Sequence, residues 1–396
     1  MKHVGITFFM MALMLTSFAQ KPSLSRAYNY YYDRDFVKAK EAIDLCFDDE
    51  KLQNKATTWI YKANIYHLLA NQEYGERQKN EAYQISFPNS PLEAFDAYIK
   101  AKELNKNVVA TDMMSPDEGL PQLYTLLFIY GVDEIIAERY DAASNILEKG
   151  IACYEMKSPP PYSLHGEIYY YYAYTLEMKG EIDKARVNYE KAIKDSSNNV
   201  NVYLRLIENY KNENQPGKIL EIIQMGKNIM PGNPDLIVAE ADYYFRNNDK
   251  ATGNRILSSL PVESFNDINT IVNIANLYIL DSNYLEAEKL LRKSYRLNPD
   301  NFVILYNLGV CCYYISQDYF LTANELDVKG RKADAQPLKE KSDTYLLEAR
   351  DFFEKALNFQ PEDLSVLNIL KAIYARLDSP KYDEIIKKIE NIKATE

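Results

Sequence analysis

Apolar residues recur at helical spacing along most of this chain, and from Gly166 onward the pattern repeats at a fixed step of 34 residues. Laid out as 166–199, 200–233, 234–267 and 268–301, the slot that opens each second helix falls at Ala185, Ile219, Gly253 and Ala287. A self-similar unit of this length is one helix–turn–helix, whose apolar face needs a neighbouring copy to cover it. Stacked copies bury a continuous core, so the period predicts an all-α fold built by addition. It also predicts a surface for binding, without saying what is bound.

The unit from Gly166 to Asn199 carries the pattern best. Tyr169, Tyr172, Ala173 and Leu176 give a first helix a bulky-then-small face, Gly180 and Glu181 make the turn, and Ala185, Tyr189 and Ala192 line a second helix. Small residues at Ala173 and Ala185 let two antiparallel helices approach, while the tyrosines fill the gaps between turns. The next unit has Tyr203, Leu206, Tyr210 and a closing Pro231, and Asn233-Pro234 then supplies a cap and a first-turn proline. The unit from Ile268 shows Ala275, Tyr278, Tyr284, Ala287, Leu291 and Pro299. Between them, Tyr244 and Leu257 fit, but Gly253 replaces alanine and Pro261 falls early, so that unit rests on register.

Outward from this array the spacing stretches. Leu305-Tyr306-Asn307-Leu308-Gly309 matches a first helix, yet the second opens only at Ala349, 62 residues after Ala287 and so 28 beyond the period. The extra segment, 316–343, reads as two prolonged helices with a turn near Lys329-Gly330. Phe353, Ala356 and Pro361 complete that unit, 302–363. Residues 364–396 hold one helix with Leu367, Leu370 and Tyr374, then an amphipathic cap with Ile385, Ile386 and Ile389. Upstream, residues 20–157 hold irregular units. Ala27, Tyr30 and Ala39 mark the first; Trp59, Ala63, Tyr66, Ala94, Tyr98 and Ala101 the second; Leu127, Gly131, Tyr140, Ala143 and Leu147 the third. A polar loop is expected over 67–90, and connectors over 107–122, with Met113, Met114 and Pro116, and over 157–165, with three consecutive prolines from Pro159.

These residues resemble the tetratricopeptide pattern W-x-x-L-G-x-x-Y…A-x-x-x-F…P, with aromatic substitutions, over nearly all of the chain after residue 19. The resemblance implies an α-solenoid, a right-handed superhelix of antiparallel helix pairs, with about eight repeats plus a C-terminal capping helix. The stretched units and Pro-rich turns look most like exported tetratricopeptide proteins of Bacteroidota. In that family the first helices line a concave groove that binds partner peptides. Carried over, the groove residues are Tyr170, Tyr174, Arg205, Glu208, Asp242, Arg246, Asn273, Asn276, Tyr306 and Asn307. Aromatic, Arg and Asn side chains suit an extended peptide, whose backbone amides need donors and acceptors. The basic clamp that chaperone-binding members use for acidic C-termini is missing. An alternative is that these polar residues only keep the groove wet.

Residues 1–19 read as a leader: Lys2 and His3 form a positive start, Val4 to Leu15 an apolar run, and Ser17-Phe18-Ala19 a peptidase site. About a dozen apolar residues are too few for a bilayer that needs roughly 20. Cleavage after Ala19 leaves Gln20 first, and a periplasmic or secreted location follows. Gln20 is not Cys, which argues against a lipid anchor.

Charge and composition narrow the function. With a net charge of −11 and no basic stripe, the chain is repelled by nucleic acid and anionic lipid alike. Cys46, Cys153, Cys311 and Cys312 lack C-x-x-C spacing and are read as free core thiols. After the leader only His67 and His165 remain, in different units, and no H-E-x-x-H, G-x-S-x-G or phosphate loop occurs. No catalytic residue, metal or cofactor is therefore expected. The acidic runs Asp33-Arg34-Asp35 and Asp48-Asp49-Glu50 lack calcium-loop spacing and read as solvated turns. Tyrosine is over-used, at 34 residues, and the runs Tyr28–Tyr32 and Tyr169–Tyr172 point all round their helices, so about half of each is core. Two functions stay open. One is an exported non-enzymatic scaffold binding protein or peptide segments in its groove, in cell-envelope assembly or organisation. The other is a carbohydrate- or small-ligand-binding accessory of the envelope.

Overall fold

The turns set the pairs. In the computed structural model, which describes residues 22–156, 166–261, 265 and 267–395, a left-handed residue stands where the chain turns from first to second helix in every described pair but that of residues 56–104. Gly180, Asn214, Asn248 and Ser282 fill this place at successive steps of 34, with φ between 54° and 78°. The following amide returns to the first helix: Glu181 to the Leu176 carbonyl, Gln215 to Tyr210 and Asp249 to Tyr244 at 2.9 Å, Asn283 to Tyr278 at 2.8 Å. This is the Schellman closure, which satisfies a terminal carbonyl and sends the chain back along its own helix. Arg34, Glu138, Gly330 and Asp378 close other pairs in the same way, so the pair stretched by 316–343 keeps the turn of the regular ones. The leader over 1–19 and the proline connector over 157–165, with His165, lie outside the described residues.

The chain divides into two compact units, one ending at Ser197 and one beginning at Asn198, and the division falls inside the segment 166–301. The first unit contains α1 (Leu24–Tyr32), α2 (Phe36–Asp44), a 3-10 turn, α3 (Glu50–Gln53), α4 (Ala56–Lys79), α5 (Ser90–Leu104), α6 (Pro116–Ile136), α7 (Tyr140–Tyr154), α8 (Glu167–Met178) and α9 (Ile182–Lys194). The second contains α10 (Val200–Asn212), α11 (Pro216–Ile229), α12 (Pro234–Arg246), α13 (Lys250–Leu257), α14 (Ile268–Leu280) and α15 (Tyr284–Leu297). It continues with α16 (Phe302–Val328), α17 (Lys332–Ala356), α18 (Leu364–Arg376) and α19 (Lys381–Thr395). Helices adjacent in sequence pack in pairs, and among the described residues there is no strand. The fold is an all-α, solenoid-type stacking of helix hairpins.

The core follows the small residues. Ala39, Ala94, Ala143, Ala185, Ala287 and Ala349, each early in a second helix or displaced along it by the insertion, are fully buried. Gly253 occupies the same slot because a Cβ there would meet the Phe245 ring at 2.9 Å. A bulkier first-helix residue is thus matched by a smaller one opposite. In the extended pair the roles are exchanged: Gly309 on the first helix makes room for Phe353 on the second, whose ring would lie 2.8 Å from an added Cβ. Tyr98, Tyr189 and Tyr203 are the largest fully buried side chains, each contributing about 1.5–3 kcal/mol through the area removed from water.

Two sequence expectations need correction. The segment 67–90 is not a continuous loop: α4 runs on to Lys79, and only residues 80–89 are irregular. Its polar stretch is amphipathic, burying Leu69, Ala70 and Glu73 while Asn71 and Gln72 face solvent. The connector over 107–122 ends early as well. Pro116 is the first residue of α6, where its missing N–H costs nothing, and Ser115 and Glu118 form a capping box. Pro121 is carried inside that helix. The four cysteines are free and buried, and burial pushes the thiols of Cys153 and Cys311 up to about 12, far from a reactive thiolate.

Candidate functional site

The first helices α10, α12 and α14 lie side by side in the second unit and present equivalent positions at the 34-residue step. Glu208, Asp242 and Asn276 form one such set, and Arg205, Ala239, Asn273 and Asn307 another. Between the three helices lies an open cleft of about 460 Å³. It takes in five of the ten groove residues read from sequence: Glu208, Asp242, Arg246, Asn273 and Asn276.

Its floor is apolar, with Leu204, Val238, Ala239, Leu277 and Leu280. The charge sits on one wall. Asp242, only 8% exposed, receives the Lys211 ammonium at 2.7 Å and the Arg246 Nε at 2.8 and 3.0 Å. Lys211 also reaches Glu208 at 3.6 Å. The carboxylate is thus satisfied from both sides, as a buried charge must be, while Arg246 stays mostly exposed along its side chain. On the opposite wall Asn276 accepts from Asn307 Nδ2 at 2.8 Å, and Asn273 is exposed beside it. Asp235 is held from below by Thr270 Oγ1 at 2.9 Å. Such a cleft offers apolar contact at its base and amide or charged partners at its rim, the mixture an extended peptide needs.

The other residues read from sequence fall elsewhere. Tyr170 and Tyr174 belong to the first unit, where Tyr170 packs on Tyr171 and Tyr189 with ring centroids 5.0 and 6.1 Å apart. Arg205 is not among the cleft residues; its neighbour Leu204 is. Tyr306 turns toward the core, its ring 5.9 Å from Phe353. Sequence reading missed Lys211 and Asp235, although Lys211 lies one helical turn beyond Glu208 and carried the signal.

Two other clusters merit a chemical test. His67 is buried, its Nδ1 3.5 Å from Tyr98 Oη, and burial holds it down to about 4, so it stays neutral in the core. Glu288, Cys312 and Glu348 converge closely enough to suggest metal ligands. Arg292 already occupies the space between the carboxylates, donating from Nε to Glu288 at 2.6 Å and from Nη2 to Glu348. Burial raises the Cys312 thiol well above its ordinary range. A guanidinium between two carboxylates is a structural ion pair, and it excludes a cation from the same place.

The left-handed turn residue, the buried small slot and the cleft-lining position therefore all recur at 34 residues on antiparallel helix pairs. Its fold is of the tetratricopeptide type. No family model matches this chain, and no curated protein matches it. Among solved structures it is similar to the human IFIT1 dimer with PPP-AAAA, at 17% identity and a TM-score of 0.43, covering 82% of this chain and 67% of that one. It is similar to the C-terminal part of a TPR repeat-containing protein from Cytophaga hutchinsonii, at 14% identity and a TM-score of 0.43, covering 76% and 98%. A tetratricopeptide repeat protein from Parabacteroides merdae is also similar, at 12% identity and a TM-score of 0.39, covering 64% and 99%. No helix among the described residues is long and apolar enough to cross a membrane.

Proposed function

We propose that this chain of tetratricopeptide-type fold is an exported, non-enzymatic scaffold that binds an extended protein segment in the cleft over α10, α12 and α14, in the assembly or organisation of the cell envelope. The cleft carries the reading: an apolar floor between the Lys211–Asp242–Arg246 cluster and the Asn273–Asn276 edge. Backbone amides of a peptide need both donors and acceptors, and asparagine supplies both from one side chain. Export is supported by the leader-like residues 1–19, and a protein partner rather than nucleic acid by the net charge of −11.

The test is selection of peptides from a random display library against the full chain, followed by measurement of their affinity for Arg246→Ala and Asn273→Ala variants. A loss of about tenfold or more in each variant is expected, since truncating a central interface side chain commonly costs more than 1 kcal/mol. Selected peptides that bind both variants as tightly as the unaltered chain would place the peptide site elsewhere. Recovery of the protein from the cytoplasm, with residues 1–19 intact, would overturn export.

A further inference from the structure

A second cleft, in the first unit, has different chemistry. About 710 Å³ in volume, within the roughly 300–1,000 Å³ range of small-ligand sites, it lies between the α1–α2 hairpin, the exposed side of α4 and the connector before α6. Tyr31, Tyr32 and Phe36 bring aromatic rings to it. Tyr32 is 70% exposed, and it is backed by Tyr28, whose ring centroid is 6.3 Å away in a stacked arrangement. Tyr31 leans edge-on against Phe36 at 6.2 Å. These rings are held rather than loose. The Tyr28 hydroxyl donates to Asp112 Oδ2 at 2.8 Å and the Tyr31 hydroxyl to the Asp112 carbonyl at 3.1 Å, which ties the hairpin to the connector.

The polar groups of this cleft are unspent. Asn71 and Gln72 stand exposed beside each other on α4, and Arg34 lies at the hairpin turn; no hydrogen bond or ion pair among the described residues engages any of the three side chains. The one carboxylate present, Asp112, balances the charge of Arg34, so the lining is electrically neutral. Leu68 is its only aliphatic side chain.

The geometry points to a neutral saccharide as the ligand of this cleft. A pyranose ring has an apolar C–H face, which packs on an exposed aromatic ring, and a rim of hydroxyls that both donate and accept. Adjacent carboxamides and a guanidinium with fixed donor geometry complement such a rim. An anionic ligand meets Asp112 as well as Arg34 and gains no net attraction. A purely apolar ligand covers Arg34, Asn71 and Gln72 without pairing them, at a cost for each buried polar group. An extended peptide needs aliphatic subpockets that one leucine does not supply. This inference stands apart from the peptide reading, because it concerns other residues in the other unit.

The test is calorimetric titration of the full chain with neutral hexasaccharides of glucose, mannose and N-acetylglucosamine at millimolar concentration. Saturable binding of at least one is expected, weakened about tenfold or more by Tyr32→Ala and by Gln72→Ala, retained by Tyr32→Phe, and unaffected by Arg246→Ala. All three residues are exposed, so circular dichroism will show each variant folded. Absence of binding to every hexasaccharide, binding that survives Tyr32→Ala unchanged, or binding only of a sulfated sugar or of a peptide through Tyr32 would each overturn it. Because peptide selection is read through Arg246 and Asn273, the two readings fail separately.

Discussion

Asn64 and Met114, 50 residues apart, exchange two hydrogen bonds: Asn64 Nδ2 donates to the Met114 carbonyl at 2.9 Å, and the Met114 amide donates to Asn64 Oδ1 at 2.8 Å. A fully buried carboxamide on α4 thus behaves like one more peptide group and pairs with the connector as a strand would. Two residues earlier stands Asp112, which anchors the tyrosines of the cleft in the first unit. Asn64→Ala should cost about 2–3 kcal/mol, since it removes both bonds to Met114 and strands that residue's amide and carbonyl. Limited proteolysis should then cut within residues 105–115, and saccharide affinity should fall with it. Resistance equal to that of the unaltered chain would show that the connector is held by something else.

The left-handed turns lead to an opposite prediction. Ser282 adopts φ 62° at a place where Gly180 serves in another unit. A residue with a Cβ bears roughly 1–2 kcal/mol of strain in that region, and glycine offsets part of the relief by a more flexible unfolded chain. Ser282→Gly should therefore stabilise by about 0.5–1 kcal/mol, read as a higher urea midpoint at unchanged slope. Gly180→Ala should shift the midpoint the other way.

Close approach at Gly309 gives a third test. With the Phe353 ring 2.8 Å from an added Cβ, Gly309→Ala overpacks the extended pair and should destabilise it by about 1–3 kcal/mol. Phe353→Leu opens that space, so the double variant should lose less than the sum of the single losses. Additive losses would mean that the two residues do not press on each other.

His67 gives the first unit a pH dependence of known sign. Burial lowers it from 6.5 to about 4, so between those values the unfolded chain takes up a proton that the folded chain refuses. Its contribution is complete above pH 6.5 and declines as pH falls toward 4, by on the order of 3 kcal/mol over the full window. His67→Gln lacks this titration. Denaturant unfolding at neutral pH and again near pH 4.5 should show a shallower acid loss in the variant than in the unaltered chain. Equal losses in both would indicate that His67 is protonated in the core.

Periodicity carried most of the fold because burial follows it residue by residue. The slots Ala185, Ile219, Gly253 and Ala287 are all buried, whatever their size. Sequence reading erred where one residue was taken at its usual meaning. Glu73 reads as a loop residue, yet it sits in the core face of α4 and accepts the amides of Ser86 at 2.6 Å and Phe87 at 3.1 Å. Pro116 reads as a break, yet it opens a helix. The cleft in the second unit was partly legible, because equivalent positions on successive first helices share a face. Tyr306 departed from that face because Phe353 drew its ring inward, a contact that no spacing encodes. The Tyr31–Tyr32 cleft was illegible beyond its aromatic run, since the tyrosines, the Asn71–Gln72 pair and Asp112 come from three different places in the chain.

The extended pair keeps the rule of the array while breaking its length. Helix α16 has 27 residues where α14 has 13, and Ala349 is the eighteenth residue of α17 where Ala287 is the fourth of α15. α16 has thus gained 14 residues, and the slot in α17 lies 14 residues further along, in each case two heptads, or about 21 Å of rise. A straight helix drifts only about 20° per heptad, so after two of them the same face still looks inward. Reach and rotation are thereby uncoupled. A repeat of this kind lengthens like a telescope, in sevens, and its neighbours in the stack meet the same inward face as before.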